Sequence, residues 1–166
     1  MPNKHNKQRF VLCVDDEDAV QVAFEHAFKG QTEFILDQAR TVREALEKIE
    51  TAQYDIIALD MKLDGQSWAG MSILREINRL EIRARSRGLP LLEAHIIIMS
   101  GSVPFSDFMQ EANELGVLTF LDKRVQFTPG FVRRSLNRVG IPLLPPQRDQ
   151  PQWPDLPSGN PASDHL

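Results

Sequence analysis

Four hydrophobic segments of the chain end on polar side chains that together could carry out phosphoryl chemistry. These side chains belong to Asp15 and Asp16, to Asp60, to Ser100 and to Lys123. The segments before them are typical of β-strands, and in an open parallel sheet ligands bind at the edge where the carboxyl ends of the strands meet. The sequence therefore predicts one pocket that contains three carboxylates, a hydroxyl and an ammonium group.

Electrostatic repulsion in such a pocket favours a bound cation. Two carboxylates about 5 Å apart repel each other by roughly 3 kcal/mol at an effective dielectric constant near 20. Either a carboxylate takes up a proton or a divalent cation binds. Carboxylate oxygens suit Mg²⁺, which is usually held by one or two carboxylates together with a phosphate. Asp60 could then act as a nucleophile that forms an aspartyl phosphate, with Lys123 and Ser100 stabilising the transferred group.

The elements that must position these side chains alternate between strands and helices. Near-continuous apolar segments predict strands at 10–14, 34–36, 56–59, 96–99 and 117–121. Apolar residues at helical spacing predict a helix after each strand. Thr41 and Glu44 form a capping box for the second helix, and Thr128 followed by Pro129 predicts the start of the fifth. Because such strands need helices on both sides, the predicted fold class is α/β, a doubly wound parallel sheet of five strands with five helices.

This order of an acidic pair, a lone aspartate, a hydroxyl and a lysine resembles the receiver domain of two-component response regulators, over residues 9–138. The resemblance implies a stand-alone domain with the flavodoxin-like receiver fold. It also implies that Asp15 and Asp16 hold Mg²⁺, with Asp60 and the backbone carbonyl of Lys62 as further ligands. Asp60 would be the aspartate that a histidine kinase phosphorylates.

The resemblance also implies how the protein would sense and transmit phosphorylation. Ser100 would be the switch hydroxyl, Phe120 the switch aromatic and Lys123 the lysine beside the phosphoryl group. The protein would signal through phosphorylation-dependent protein contacts and would not be an enzyme in the usual sense. Its partners would be a sensor histidine kinase or a histidine phosphotransfer protein, and a downstream protein target. A homodimer is a further alternative.

Three features depart from the family pattern. Arg124 follows the lysine where the family usually has proline, which puts the usual cis peptide bond there in question, since a non-proline cis bond costs about 3 kcal/mol. The loop after Asp60 has Asp64 where the family often has proline, and it is longer than usual if Gly70 is the family glycine. The connection 81–95 is long and rich in arginine. None of these departures removes a chemical group from the predicted pocket.

Two other classes of function share the fold or the chemistry. A phosphohydrolase of the haloacid dehalogenase-like kind also uses a nucleophilic aspartate, a lysine and Mg²⁺. It needs a second aspartate two residues after the nucleophile, where this chain has Lys62. A binding module that keeps the receiver fold without being phosphorylated is the other alternative. Asp16, Asp60 and Lys123 argue against that module, and Arg124 leaves it open.

The composition of the chain excludes several other classes of function and site. The chain has 166 residues, which fits one domain. Its formal net charge of −4 gives no electrostatic basis for binding nucleic acid or a membrane. The single cysteine, Cys13, excludes an internal disulfide and a cysteine-based zinc site. Without a signal segment or a long apolar run, the protein is expected in the cytoplasm.

The sequence predicts three regions along the chain. Residues 1–8 are polar and predicted to be disordered, and residues 9–140 form the domain. Residues 141–166 contain seven of the 11 prolines and predict an extended or disordered tail. Leu143, Leu144, Trp153 and Leu156 in this tail could nevertheless dock on a partner or on the domain itself.

Overall fold

A five-stranded parallel sheet lies at the centre of the computed structural model, which describes residues 7–89, 93–102 and 106–145. The strands of this sheet are β1 (Arg9–Val14), β2 (Phe34–Ala39), β3 (Ile56–Asp60), β6 (His95–Ser100) and β7 (Val117–Asp122), and their order is β2-β1-β3-β6-β7. Two short strands, β4 (Lys62–Leu63) and β5 (Gln66–Ser67), form an antiparallel hairpin after β3. The helices are α1 (Asp18–Phe28), α2 (Val42–Thr51), α3 (Ala69–Ser86), α4 (Ser106–Glu114) and α5 (Pro129–Arg138). The predicted doubly wound α/β fold is confirmed.

Alternating side chains of the central strands supply two separate cores, one on each face of the sheet. In β3, Ile56 and Ala58 pack with α1 and α5, whereas Ile57 and Leu59 pack with α2, α3 and α4. This alternation is the period of two that a strand imposes on its side chains. All five residues of β3 are buried, as expected for a strand covered on both faces. No helix in the described part of the chain is both long and apolar enough to cross a membrane.

Short polar signals fix where several helices begin. Thr41 Oγ1 accepts a hydrogen bond from the backbone N–H of Glu44 at 3.1 Å, and a Glu44 carboxylate oxygen accepts from the N–H of Arg40 at 2.8 Å. Thr128 Oγ1 accepts from the N–H of Phe131 at 3.2 Å. Both predicted helix starts are therefore confirmed.

Glu17 holds the N-cap position of α1, although aspartate, the residue type on either side of it, is the more usual capping residue. Its side chain makes no capping hydrogen bond. Asp15 instead accepts the backbone N–H of Glu17 through Oδ1 at 2.9 Å. The side chain of Glu17 is therefore not used in capping the helix and is available for another contact.

The packed domain extends past its predicted end at residue 140. Ile141 and Leu143 are 1% and 5% exposed and belong to the core beneath α1 and α5. The side-chain amide of Gln31 binds both backbone groups of Leu144, each at 2.9 Å. Asn137 Oδ1 accepts the N–H of Leu143 at 2.8 Å. Prolines prevent a regular helix in this segment, but they do not prevent burial, since apolar residues between them can pack in extended form. Residues 1–6 and 146–166 lie outside the described residues, so their predicted disorder stays a prediction.

This docking predicts that truncation at residue 140 destabilises the domain. Burying an isoleucine and a leucine side chain contributes about 1.5–3 kcal/mol each. A chain that ends at Gly140 should therefore lose about 3–5 kcal/mol of unfolding free energy, measured by urea denaturation. The matched control ends at Pro145, keeps the docked segment and should unfold like the full chain. Equal midpoints for the two truncations would show that this segment contributes nothing.

Candidate functional site

The carboxyl edge of the sheet brings residues from distant parts of the chain into one crevice. Asp15 follows β1 directly, Asp60 is the last residue of β3 and Lys123 follows β7. The Lys123 ammonium lies 2.9 Å from Asp15 Oδ2 and 3.1 Å from Asp60 Oδ2. All three side chains are buried, with 7% or less of their surface exposed. The structure therefore places the predicted nucleophile, one predicted metal ligand and the predicted lysine in direct contact.

A fourth acidic residue, which was not among the predicted site residues, also lies at this crevice. Glu17 Oε1 lies 2.6 Å from the Lys123 ammonium, although 60% of the Glu17 side chain is exposed. The signal that could have indicated it is its position directly after the acidic pair and directly before α1. Lys123 thus contacts three carboxylates at once.

The predicted metal ligands lie close enough to share one cation. Asp15, Asp16 and Asp60 each offer a carboxylate oxygen, and these oxygens lie within 4.8 Å of one another. Asp16 is exposed to solvent, whereas the other two are buried. Mg²⁺ commonly takes one or two carboxylates and keeps several waters, so a cluster that is open on one side suits it. The backbone N–H of Lys62 donates to the Asp60 carboxylate, and its carbonyl as a metal ligand stays a prediction.

Burial and mutual repulsion raise the free energy needed to ionise the carboxylates in the crevice. Burial raises the pKa of Asp15 from its usual 3.8 to about 6, and the neighbouring Asp60 charge adds to this rise. Burial also raises the pKa of Asp60, although Lys123 opposes the change. Burial alone would lower the pKa of Lys123, but its bonds to Glu17 and Asp15 and the nearby carboxylates raise it overall. The lysine therefore stays charged, while the carboxylates outnumber it.

The two predicted switch residues lie on β6 and β7, which are neighbouring strands at one side of the sheet. The Ser100 hydroxyl donates to the backbone carbonyl of Ser102 at 2.8 Å, and the Ser100 carbonyl accepts the N–H of Lys123 at 2.8 Å. Phe120 is half-buried, and its ring meets that of Phe108 edge to face at 6.2 Å. Phe108 also contacts Trp68 of the loop after β5, with ring centroids 5.4 Å apart. The switch roles of Ser100 and Phe120 stay predictions.

The long loop after Asp60 folds into the β4–β5 hairpin and returns against the strand that it left. Asp64 and Gly65 form its tip with φ of 53° and 72°, and Trp68 donates its backbone N–H to the Met61 carbonyl at 2.9 Å. A Cβ on Gly70 would lie 2.4 Å from the backbone oxygen of Asp60. Only glycine therefore fits where α3 passes the predicted phosphoryl acceptor.

Arg124 fills the position where the family usually has proline. Its backbone N–H donates to Asp122 Oδ1 at 2.8 Å, and its guanidinium pairs with the same carboxylate at 2.6 Å. A proline would lack this N–H. No cis peptide bond occurs in the part of the chain that the structure describes. The turn that carries Lys123 is therefore held by a local ion pair between its two neighbours.

Comparison with known proteins gives one family. A family model described as the response regulator receiver domain matches residues 11–129. Among solved structures, the chain is similar to the chemotaxis response regulator CheY4 of Vibrio cholerae, with 22% sequence identity and a TM-score of 0.61. That alignment covers 80% of this chain and 99% of the other. No curated protein matches the chain.

Two further similar structures contain a ligand or a modified residue. The response regulator TrrA of Thermotoga maritima, solved in complex with Mg²⁺-BeF, is 20% identical with a TM-score of 0.55, and the match covers 80% of this chain and 99% of that one. A response regulator of Burkholderia pseudomallei, solved with a phosphorylated aspartic acid, a calcium ion and citrate, is 17% identical with a TM-score of 0.55, covering 79% of this chain and 73% of that one. At these identities the likeness shows the fold.

The raised pKa of Asp15 predicts that the metal-free protein loses stability as pH rises. The folded state binds this proton more tightly than the unfolded state, so stability falls between about pH 4 and pH 6 and stays lower above that range. The effect corresponds to about 3 kcal/mol at pH 7.5. Asp15→Asn should therefore stabilise the protein against urea at pH 7.5 without Mg²⁺, and the gain should shrink towards pH 4. The control Glu25→Gln removes an exposed carboxylate of α1 and should show no such trend. A gain for Asp15→Asn that does not vary with pH would contradict the prediction.

The close approach of Gly70 to Asp60 predicts that an added methyl group is harmful there. Gly70→Ala should cost about 1–3 kcal/mol of unfolding free energy, because the nearest atoms are backbone and cannot turn aside. Gly101→Ala is the matched control, since a Cβ there meets nothing within 4 Å. Equal urea midpoints for both variants would show that the loop yields without cost.

Proposed function

The chain belongs to the response regulator receiver domain family, and from this premise we propose that it accepts a phosphoryl group from a sensor histidine kinase on Asp60. Receiver domains are signalling modules of two-component systems. The observation that carries the proposal is the contact of the buried Lys123 ammonium with both Asp15 and Asp60. This contact places a fixed positive charge beside the carboxylate that would react.

The proposed transfer conserves atoms and charge. An Asp60 carboxylate oxygen attacks the phosphorus of a phosphohistidine and forms a P–O bond, while the P–N bond breaks and its electron pair stays on the imidazole. Lys123 keeps Asp60 ionised and pairs with an oxygen of the transferred group. Asp15 and Asp16, with Asp60 and the Lys62 carbonyl, would hold Mg²⁺, which when bound neutralises the negative charge that gathers in the crevice.

Ser100 and Phe120 would transmit the effect of phosphorylation from the crevice to the protein surface. The Ser100 hydroxyl now bonds to Ser102, and it would turn towards the phosphoryl group once that group offers a stronger acceptor. Phe120 lies on β7 against Phe108 of α4, so its movement would change the face formed by α4, β7 and α5. Leu118 and Val125 give this face exposed apolar surface. The output would therefore be a protein contact.

The proposed function also implies which partners the protein has and where in the cell it works. Its partners would be a histidine kinase or a histidine phosphotransfer protein, and a downstream protein target that recognises the altered face. A receiver of this kind would work in the cytoplasm. Two similar response regulators were solved with Mg²⁺-BeF and with a phosphorylated aspartic acid, which supports the same chemistry for the family.

Intact mass spectrometry after incubation with Mg²⁺ and acetyl phosphate or phosphoramidate tests the proposal. The protein should gain one phosphoryl group, and Asp60→Asn should gain none because it lacks the nucleophile. The matched control is Asp64→Asn, which alters an exposed carboxylate of the neighbouring hairpin and should be modified like the unaltered protein.

Other outcomes of this experiment would favour other functions. A protein that takes up no phosphoryl group from either donor would be a phosphorylation-independent binding module. Continuous release of phosphate from small esters would instead indicate a phosphohydrolase. A phosphoryl group that persists in Asp60→Asn would place the acceptor elsewhere.

A further inference from the structure

We propose that Glu17 is a positioning residue that occupies the Lys123 donor required by the phosphoryl group, and that its side chain leaves when the group arrives. This inference rests on the function proposed above and concerns the regulation of the same crevice. An ammonium group has three N–H donors. Three carboxylate oxygens lie within bonding distance of Lys123, those of Glu17 at 2.6 Å, Asp15 at 2.9 Å and Asp60 at 3.1 Å. Lys123 therefore has three carboxylate partners before phosphorylation, as many as it has N–H donors.

An incoming phosphoryl oxygen can pair with Lys123 only if one carboxylate gives way. Asp15 has no exposed side-chain surface, and Glu17 donates its own backbone N–H to it. Asp60 is the residue to which the phosphoryl group would be attached. The side chain of Glu17 is 60% exposed, so water can solvate its carboxylate once it leaves. Because exposed ion pairs contribute little free energy, Glu17 is the partner that Lys123 releases at the lowest cost.

The backbone of Glu17 has a role in α1 that its side chain does not share. The Glu17 carbonyl accepts the N–H groups of Val20 and Gln21 at 3.1 and 3.2 Å, which begins α1. Its side chain makes no capping hydrogen bond. The side chain can therefore turn away without disturbing α1 or the bond that holds Asp15. Its contact with Lys123 is not explained by a role in the helix.

Two possible roles of Glu17 predict opposite effects of its removal. Glu17 could compete with the phosphoryl group for a donor of Lys123, or it could only hold Lys123 in place. If Glu17 and the phosphoryl group compete, removing the Glu17 charge should strengthen binding of a phosphoryl analogue. It should leave Mg²⁺ binding nearly unchanged, because the three aspartates that lie within 4.8 Å of one another do not include Glu17. If Glu17 only held Lys123 in place, its loss would weaken binding of the analogue.

The test uses the full chain and two titrations, Mg²⁺ alone and then beryllium fluoride at saturating Mg²⁺. Isothermal titration calorimetry gives both dissociation constants. Trp68 fluorescence in a Trp153→Phe background gives an independent readout, since the chain has two tryptophans. For Glu17→Gln the dissociation constant for beryllium fluoride should fall roughly threefold to fivefold, while that for Mg²⁺ changes by less than about twofold.

Two further variants separate this effect from a general change in charge. Asp18→Asn removes a neighbouring exposed carboxylate that pairs with Arg40 at 2.6 Å. It should leave the affinity for beryllium fluoride unchanged. Glu17→Asp keeps the charge on a shorter side chain and should fall between the unaltered protein and Glu17→Gln.

The outcomes distinguish this inference from the function on which it rests. If the unaltered protein binds Mg²⁺ but no beryllium fluoride, the proposed function fails and this inference fails with it. If the unaltered protein binds beryllium fluoride and Glu17→Gln binds it equally or more weakly, only the role of Glu17 is overturned. The same gain in Asp18→Asn as in Glu17→Gln would also overturn it, because the effect would then be one of net charge.

Discussion

The site depends on one buried ammonium group that must balance an excess of carboxylates. Lys123 contacts Asp15, Asp60 and Glu17, and Asp16 lies beside them. One positive charge cannot neutralise four negative charges, so burial and repulsion raise the pKa of Asp15 to about 6. The crevice therefore favours an added cation, and it holds an ionised nucleophile beside a fixed positive charge. These are the conditions that phosphoryl transfer to an aspartate needs.

The fold divides these charged groups into fixed and exposed members. Asp15 and Asp60 lie at the ends of neighbouring buried strands, β1 and β3, where backbone pairing sets their separation. Asp16 and Glu17 lie between β1 and α1, where solvent reaches their side chains. Because Gly70 has no side chain, α3 can pass directly against the backbone of Asp60. The exposed carboxylates can therefore gain or lose contacts while the buried strands that carry Asp15 and Asp60 stay in place.

The helix starts predicted from local signals were confirmed, whereas two contacts between distant segments were missed. Thr41 and Thr128 cap the helices that the sequence assigned to them, since a cap depends only on residues within one helical turn. The end of the domain was placed too early, because burial of Leu143 depends on α1 and α5 and on the Gln31 amide, 113 residues from Leu144. Glu17 was overlooked for the same reason, as its partner Lys123 is far away in sequence.

The sequence alone determined the class of fold and the chemical groups of the site, because apolar strands and the polar residues that end them are local patterns. The order Asp15, Asp60, Lys123 at successive strand ends was enough to predict that these groups converge. Only the tertiary structure decided which charges touch, which stay exposed and which pKa values rise. Those properties depend on distances of a few ångströms between residues as far apart as Asp15 and Lys123, 108 positions along the chain, and on how much water each group retains.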